Sequence, residues 1–240
     1  GRVKAIKKSV DHMAVLFPFE VPIYEAAGVP VTCVGHPLVD AVKCTKTAKQ
    51  AKIKFGIKLN RRVIGLFPGS RRSEVEVLLP VMLEAAERLA EHQKNSEFVL
   101  PVASGLDMSV VERILAKSYL PVKVVTDDFY LLTTACDAIV AASGTVTLEI
   151  ALLGVPHFIS YRVSPITYSI LSRLVRIPYV GLCNIVTGKD LILELLQDDV
   201  TPERLEQELT SLLVGKDSKQ GAEDIRQQVL TALGPSGGAH

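Results

Sequence analysis

The amino-acid sequence predicts an α/β protein built on a parallel β-sheet. From Val63 onward, short apolar runs of strand length alternate with longer segments of helical periodicity, an order typical of a parallel sheet covered by helices. One stretch, residues 138–156, holds the repeating unit in its clearest form: an apolar run, a turn of small residues, and a helical segment that Gly154 and Pro156 end. These two observations predict the fold class.

Composition limits the classes of function. The chain has 240 residues, of which 48% are hydrophobic and 22% are charged, with a net charge of +1. The net charge near zero, together with only 5% aromatic residues and no Trp, argues against nucleic acid as a partner. The four cysteines and five histidines show no metal-ligand spacing, so we expect reduced thiols, no metal and no cofactor. Without a signal peptide or an 18-residue apolar run, we expect a protein that is soluble or peripheral at a membrane and does not span it.

The first part of the chain differs from the rest. We predict strands at 13–17 and 29–34 with a helix at 21–27 between them. Two strands and a helix cannot bury their own apolar faces, so this block is expected to be the remnant of a further domain. The predicted division is 1–43 for this remnant and its linker, 44–214 for a binding domain, and 215–240 for a terminal helix and disordered tail.

The binding domain should contain five strands and several helices. We predict strands at 63–67, 98–102, 122–125, 138–142 and 157–161. We predict helices in this domain at 108–118, 129–136, 146–153, 190–197 and 202–213, with a loop at 179–189, and the terminal helix after it at 222–233. Ser73 and Glu76 have the spacing of a capping box that starts a helix, and Pro80 is expected to divide that helix, with a second one running to about His92.

A phosphate site is predicted at the turn Ser143, Gly144 and Thr145. A tight turn between a strand and a helix points free backbone N–H groups, and the positive end of the helix dipole, beyond the strand end. This arrangement suits a phosphate. Glu149 lies one helical turn further on, and Val146 in place of Ser or Thr rules out a capping box for it. Its carboxylate could accept hydrogen bonds from a ribose diol; the alternative is simple complementation of the helix dipole.

Other strand ends carry further polar residues. After the strand at 63–67, Gly69 allows a close backbone approach and Arg71 can grip a phosphate. The alternative for Arg71 and Arg72 is a solvated turn, and we favour a binding role, for Arg71 in particular. The strand before residues 126–130 ends at the same predicted edge of the sheet. The dinucleotide, P-loop and nucleophile-elbow patterns GxGxxG, GxxxxGK[ST] and GxSxG are absent.

Three polar residues interrupt an apolar stretch near the end of the binding domain. They are Asn184, Glu194 and Gln197. If residues 190–197 are helical, the last two share one helical face, since they are three residues apart. The simpler interpretation of that face is an exposed helix side.

Several long motifs, in order, resemble the carboxyl-terminal half of lipid-A-disaccharide synthase. They are PGSRRSEV, ASGTVTLEIALLGVP and PYVGLCNIVTGKDLILELLQ, supported by LFPFE, GVPVTCVGHPLVD and YRVSP, and they cover residues 13–213. The resemblance implies the GT-B arrangement of two Rossmann-like domains. This chain would hold the parallel-sheet donor domain and a remnant of the amino-terminal acceptor domain.

The same resemblance implies a reaction and its location. Enzymes of this family transfer 2,3-diacylglucosamine from UDP-2,3-diacylglucosamine to 2,3-diacylglucosamine 1-phosphate, and they act at the inner face of the Gram-negative inner membrane. A peripheral cytoplasmic protein is therefore expected, and a homodimer is left open. Residues 165–176 could form a helix on the membrane surface or an ordinary core-packing helix.

The resemblance also assigns roles to residues. Ser70 and Arg71 would contact the donor diphosphate, with Arg71 stabilising the leaving group. Helix-terminus donors to the same diphosphate would come from Ser143, Gly144 and Thr145. Glu149 would hold the ribose, and Phe129 or Tyr130 would lie beside the uracil. The donor sugar and nucleotide would be bordered by Asn184, Glu194 and Gln197.

The chain departs from the family in one respect. None of the acids in the first 40 residues matches the family's general base: Asp11, Glu20, Glu25 and Asp40. We therefore expect a fragment that binds the donor without transferring the sugar. Two alternatives stay open: another UDP-N-acetylglucosamine enzyme of the same fold, such as the peptidoglycan glycosyltransferase or the 2-epimerase, and a non-catalytic nucleotide-sugar-binding module.

Overall fold

The structure, a computed structural model, describes residues 6–7, 9–163 and 179–234. It contains a six-stranded and a two-stranded sheet, and every strand pair within the described residues is parallel. The predicted α/β fold class is confirmed. The strands are β1 (Met13–Val15), β2 (Val31–Cys33), β3 (Arg62–Phe67), β4 (Ser96–Pro101), β5 (Val122–Val125), β6 (Ala138–Ala142), β7 (His157–Tyr161) and β8 (Glu194–Leu196).

The large sheet has the order β5-β4-β3-β6-β7-β8. The chain moves outward from β3 to β5 and then returns to the other side of β3 to build β6, β7 and β8. The order therefore reverses between β3 and β6. In open parallel sheets the carboxyl ends of the strands at such a reversal border a crevice where ligands bind.

Helices cover both faces of the large sheet. The described helices are α1 (Val21–Ala26), α2 (Leu38–Ala41), α3 (Ala48–Lys54), α4 (Arg72–His92), α5 (Met108–Leu115), α6 (Phe129–Ala135), α7 (Thr145–Leu152), α8 (Leu182–Thr187), α9 (Pro202–Val214) and α10 (Ser218–Leu233). Of these, α1 packs against β2 of the small sheet. Short 3₁₀ turns occupy Pro18–Glu20 and Gln197–Asp199. No helix in the described ranges is long and apolar enough to cross a membrane.

The central strand β3 shows why the two layers form. Ile64 and Leu66 pack with α4, α5 and α9 on one face, whereas Val63 and Phe67 pack with α6 and α7 on the other. Successive side chains of a strand point to opposite faces, so a strand buried on both sides is apolar throughout. This explains the continuous apolar runs in the sequence.

The helix after β3 differs from the prediction at two points. It is one continuous helix, α4, with Pro80 in its interior rather than at the start of a second helix. A buried Leu79 and Met82 flank Pro80 and pack onto the sheet, which offsets the hydrogen bond that proline removes. The capping acid is Glu74, at the third position after the N-cap Arg71, and not Glu76.

The prediction for residues 179–197 is wrong in two elements. The predicted loop contains α8, and the predicted helix at 190–197 is an extended segment that ends in β8. A short apolar run is ambiguous between helix and strand, and here pairing of Ile159 in β7 with Glu194 makes it the edge strand. The predicted segment at 165–176 and the predicted disordered tail at 235–240 lie outside the described residues.

The predicted division into domains stays a prediction. The structure adds that α10, which begins earlier than expected, packs its Val229 and Leu233 against α7 and α8. Val42, from the first part of the chain, belongs to the same buried cluster. The terminal helix therefore shares a buried apolar cluster with α7 and α8.

A buried ion pair attaches α3 to the residues that directly precede β3 and β6. Lys52 Nζ donates to Asp137 Oδ2 at 2.7 Å and to the Arg61 carbonyl at 2.9 Å, and the same Asp137 oxygen accepts from the Val63 N–H at 3.0 Å. The two charged side chains are about one-tenth exposed. Burial alone raises the pKa of Asp137, but the Lys52 and Val63 hydrogen bonds outweigh it and lower this pKa overall.

Candidate functional site

A cavity of about 430 Å³ lies at the carboxyl ends of the central strands. Its wall combines four loops that follow β3, β4, β5 and β6, together with the first turn of α7. The lining residues are Phe67, Gly69, Ser70, Arg71, Glu74, Pro101, Val102, Ala103, Val125, Thr126, Asp127, Phe129, Ala142, Ser143, Gly144, Thr145, Val146 and Glu149. The cavity therefore occupies the crevice that the strand order defines.

The amino terminus of α7 opens into this cavity without a side-chain cap. Gly144 is the N-cap residue, and no side chain of the described residues caps it. Thr147 makes two hydrogen bonds to the Gly144 carbonyl that stabilise this turn: its hydroxyl donates at 2.8 Å and its N–H at 3.2 Å. The first N–H groups of a helix have no partner inside the helix, and here they belong to the cavity-lining residues Thr145 and Val146. This helix end is arranged to receive an anion.

Ser143 uses its hydroxyl within the protein. Its Oγ donates to the Val180 carbonyl at 2.8 Å. The hydroxyl hydrogen therefore points toward the 180–181 segment in this structure. A ligand at the turn would meet the backbone of Ser143 and Gly144 rather than this donor.

The turn before α4 is organised by Glu74, which the sequence interpretation missed. Glu74 Oε2 accepts from the N–H groups of Ser70 and Arg71 at 3.2 and 3.3 Å, and Oε1 accepts from Arg71 Nη1 at 2.6 Å. Gly69 has a φ of +105°, and a Cβ there would lie 2.3 Å from Glu74 Oε2. Position 69 thus needs glycine for two reasons: its φ is positive, and a side chain there would clash with the Glu74 carboxylate.

These contacts divide the roles of the two neighbouring arginines. Arg71 lines the cavity with a side chain that is 77% exposed, so its guanidinium keeps donors for a ligand beyond the one bonded to Glu74. Arg72 Nε instead donates to Glu76 Oε1 at 2.9 Å along the helix surface. Because Glu74 already occupies the backbone N–H groups of this turn, an anion would meet the side chains of Ser70 and Arg71.

Glu149 lies in the cavity wall and is bonded to a side chain from the neighbouring helix. Tyr130 Oη donates to Glu149 Oε1 at 2.9 Å. Burial raises the pKa of Glu149, and the Tyr130 hydrogen bond opposes that rise. Burial together with this hydrogen bond raises the pKa of Tyr130 to about 12. The carboxylate is uncommitted to backbone groups, as predicted, but one of its oxygens has a fixed partner.

The two aromatic residues proposed for the uracil differ in position. Phe129 lines the cavity, and its ring centroid lies 5.6 Å from that of Phe67. Tyr130 is set behind Glu149, with its ring packed against the core cluster of α7, α8 and α10 and 5.7 Å from the Phe129 ring. Of the two, Phe129 is the one that lines the cavity, and contact of either ring with a base stays a prediction.

Asn184 and Glu194 form a network beside the cavity rather than part of its described wall. Glu194 accepts from the N–H groups of Val180 and Gly181 at 2.8 and 2.9 Å, and from Asn184 Nδ2 at 2.8 Å. Asn184 is fully buried, and its Oδ1 accepts from the N–H groups of Leu191 and Ile192. The network therefore holds the 180–181 segment against Ser143.

Gln197 lies at the end of β8, on the cavity side of the sheet but outside the described cavity wall. Its backbone has a φ of +51°, an unusual value for a residue other than glycine. With its amide nitrogen turned toward the Val163 carbonyl, the side chain donates to and accepts from the backbone of Val163 at 3.2 Å each. The predicted shared helical face of Glu194 and Gln197 does not exist, because the segment is extended there. Contact of these residues with a donor stays a prediction.

The loop after β4 was also missed. Val102 and Ala103 line the cavity, yet they carry no polar group that would mark them in a sequence. The signal that could have found them is positional: the predicted strand at 98–102 ends at the same edge of the sheet as its neighbours.

The fold and the position of the cavity are those of a Rossmann-like domain of the GT-B class. The structure is similar to a UDP-N-acetylglucosamine 2-epimerase from Neisseria meningitidis bound to UDP-N-acetylglucosamine, with a TM-score of 0.63, 16% identity, and coverage of 93% of this chain and 58% of the other. It is also similar to WaaG, a glycosyltransferase involved in lipopolysaccharide biosynthesis, with a TM-score of 0.57, 14% identity, and coverage of 90% and 57%. At these identities the likeness concerns the fold.

The sequence comparison defines the family. The model of the lipid-A-disaccharide synthetase family matches residues 1–237, so the chain belongs to that family. Lipid-A-disaccharide synthase of Geobacter sulfurreducens is 52% identical over 209 residues, which are 87% of this chain and 54% of that protein. The family resemblance seen in the sequence motifs is confirmed, and the chain spans about half the length of this relative.

Proposed function

We propose that this chain forms the donor-binding part of a lipid A glycosyltransferase. It binds the UDP portion of UDP-2,3-diacylglucosamine, whose sugar is transferred to 2,3-diacylglucosamine 1-phosphate to give the lipid A disaccharide 1-phosphate and UDP. The observation that supports this most is the uncapped amino terminus of α7, with Glu149 one turn further on and Arg71 in the wall of the same cavity. Membership of the family favours this reaction over the other two alternatives.

The proposed role of the protein in the reaction is electrostatic. When the bond between sugar and diphosphate breaks, negative charge builds on the departing UDP. The N–H groups of Thr145 and Val146 and the guanidinium of Arg71 stabilise that charge, since they are held in place before the reaction begins. Glu74 contributes by holding the Arg71 side chain at the cavity.

The nucleoside is placed by two further residues of the cavity wall. Glu149 accepts hydrogen bonds from the ribose diol, and the face of Phe129 lies against the uracil. Glu149 lies on α7, whose amino terminus forms the phosphate site, and Phe129 lines the same cavity from α6, so one cavity accommodates the whole nucleotide.

We assign neither the binding of the acceptor nor the general base that activates it to residues of this chain. No acid in the first 40 residues matches the base motif of the family, so we assign activation of the acceptor to the part of the relatives' length that this chain does not match. The 240-residue chain by itself should bind the donor without transferring its sugar.

Peripheral association with the inner membrane, from the cytoplasmic side, belongs to the same proposal. Residues 43–62 contain eight Lys or Arg and no acidic residue, and of these eight Lys52 is buried in the pair with Asp137. The apolar side chains of Ile53 and Leu59 in this stretch are 60% and 49% exposed. A basic surface with exposed apolar side chains suits an anionic lipid bilayer.

Calorimetric titration of UDP into the chain and into Glu149→Ala tests the donor site. We expect saturable binding that weakens by about 1–3 kcal/mol in the variant, because a charged hydrogen bond to the ribose is lost. Glu112→Ala, an exposed acid on α5 away from the cavity, is the control and should bind like the unaltered chain. A folded chain without affinity for UDP, or equal affinities of all three proteins, would contradict the proposal.

A further inference from the structure

The contact between Tyr130 and Glu149 joins two helices that follow different strands. Tyr130 is the second residue of α6, after β5, and Glu149 lies in α7, after β6. The hydroxyl donates to only one carboxylate oxygen, Oε1. No hydrogen bond to Oε2 is recorded within the described residues, and Glu149 is a cavity-lining residue whereas Tyr130 is behind it.

We propose that Tyr130 is a positioning residue: its hydroxyl fixes the Glu149 carboxylate so that the second oxygen meets the vicinal diol of a ribose, and it thereby sets the preference for ribonucleotides over 2′-deoxyribonucleotides. The inference rests on the proposed function, since it concerns the same nucleotide site. It differs from the role that the family resemblance implies for Tyr130, which is contact with the uracil.

Geometry supports a positioning role. A glutamate side chain has several rotatable bonds, so an unpartnered carboxylate at a cavity wall would sample orientations that do not meet a diol. Tyr130 has two side-chain torsions, and its ring is packed into the cluster that includes Leu148 and Leu152 of α7. A hydroxyl on a packed ring is therefore a fixed reference point for the carboxylate.

The chemistry of the pair points the same way. With its pKa raised to about 12, the Tyr130 hydroxyl stays protonated throughout the neutral range and can only donate to the carboxylate. Glu149 is partly buried, and the donated hydrogen bond favours its charged form over the neutral acid. A charged acceptor is what makes a diol hydrogen bond strong enough to discriminate.

The test compares two nucleotides in three proteins. The dissociation constants of UDP and 2′-deoxy-UDP are measured by calorimetry for the unaltered chain, for Tyr130→Phe and for Tyr119→Phe, a control whose tyrosine is 73% exposed and distant in the fold. We expect the unaltered chain and Tyr119→Phe to prefer UDP by about tenfold or more. Tyr130→Phe should reduce that preference at least about threefold, because the misplaced carboxylate loses the contact with the 2′-hydroxyl, a contact that UDP can make and 2′-deoxy-UDP cannot.

The other outcomes separate failure of the inference from failure of the proposed function. If Tyr130→Phe weakens both nucleotides equally, Tyr130 acts on the uracil or on the fold as a whole, and the inference is overturned while the donor site stands. If the unaltered chain binds UDP and 2′-deoxy-UDP equally, Glu149 does not bind the diol and the inference falls with that assignment. If the folded chain binds neither nucleotide, the proposed function itself is contradicted.

Discussion

Arg71→Ala should lower the turnover number for sugar transfer by about 10²–10³-fold in the complete protein, a loss typical of removing one fixed donor to a developing negative charge. The guanidinium lines the cavity and is held there by Glu74. Because the charge on the diphosphate grows as the bond to the sugar breaks, the loss should appear in kcat more than in KM. Release of UDP during transfer, measured at varied donor concentration, gives both constants.

Arg72→Ala is the matched control for Arg71. Arg72 is the next residue in the chain, carries the same charge, and is paired with Glu76 on the surface of α4. Exposed pairs of this kind contribute little, so the variant should keep nearly all of its activity. Equal losses in the two variants would mean that the effect is general attraction for an anionic substrate, and an unchanged Arg71→Ala would remove Arg71 from the mechanism.

Asp137→Ala should destabilise the chain by about 3–5 kcal/mol, since it leaves the ammonium of Lys52 buried without its partner. The carboxylate also accepts from the Val63 N–H at the start of β3, so the substitution leaves a second buried donor unsatisfied. Urea unfolding at pH 7, followed by circular dichroism, measures the difference. The pH dependence of unfolding provides an independent check. Because the pKa of Asp137 is lowered in the folded state, the ionised carboxylate contributes its full stabilisation at pH values above the ordinary aspartate pKa. This contribution to the free energy of unfolding is lost as the pH falls through the lowered pKa.

Asp128→Asn is the control for that prediction, because Asp128 pairs with Lys54, another lysine of α3, at the surface. Asparagine removes the charge and tolerates the φ of 57° at this position, where alanine would add backbone strain. The substitution should cost less than about 1 kcal/mol. The two variants thus remove the same group from two pairs that differ in burial. Similar losses for both, or a difference between unaltered chain and Asp137→Ala that persists undiminished at pH 2, would contradict the account of the buried pair.

The parts of the site that depend on adjacent residues could be predicted from the sequence. The turn Ser143, Gly144 and Thr145 lies between an apolar strand and a helix with clear end signals, and all of this information is contained in 19 residues of chain, 138–156. That Glu149 takes no part in a capping box could be predicted from Val146 alone, because a capping box needs Ser or Thr at that position. Local rules sufficed because local geometry decides these features.

The supporting contacts could not be predicted, because they join distant residues. Glu149 meets Tyr130 only when the fold brings together α6 and α7, which follow different strands. Glu194 meets Val180 only after the extended segment before β8 lies along β7. The stretch at 190–197 has apolar residues at spacings that both a helix and an edge strand allow, so pairing with β7 decided its form. Glu74 was a different case, because Ser73 and Glu76 offered the sequence pattern of a capping box two residues further along the chain.

The crystal structure of the chain with UDP bound tests the central claim most directly. The account predicts that a phosphate oxygen lies within hydrogen-bond distance of the N–H groups of Thr145 and Val146, about 2.7–3.2 Å, with Arg71 on the same diphosphate. It also predicts Glu149 on the ribose diol and the uracil against Phe129. A nucleotide bound with its phosphates away from the amino terminus of α7, or bound outside this cavity, would contradict it.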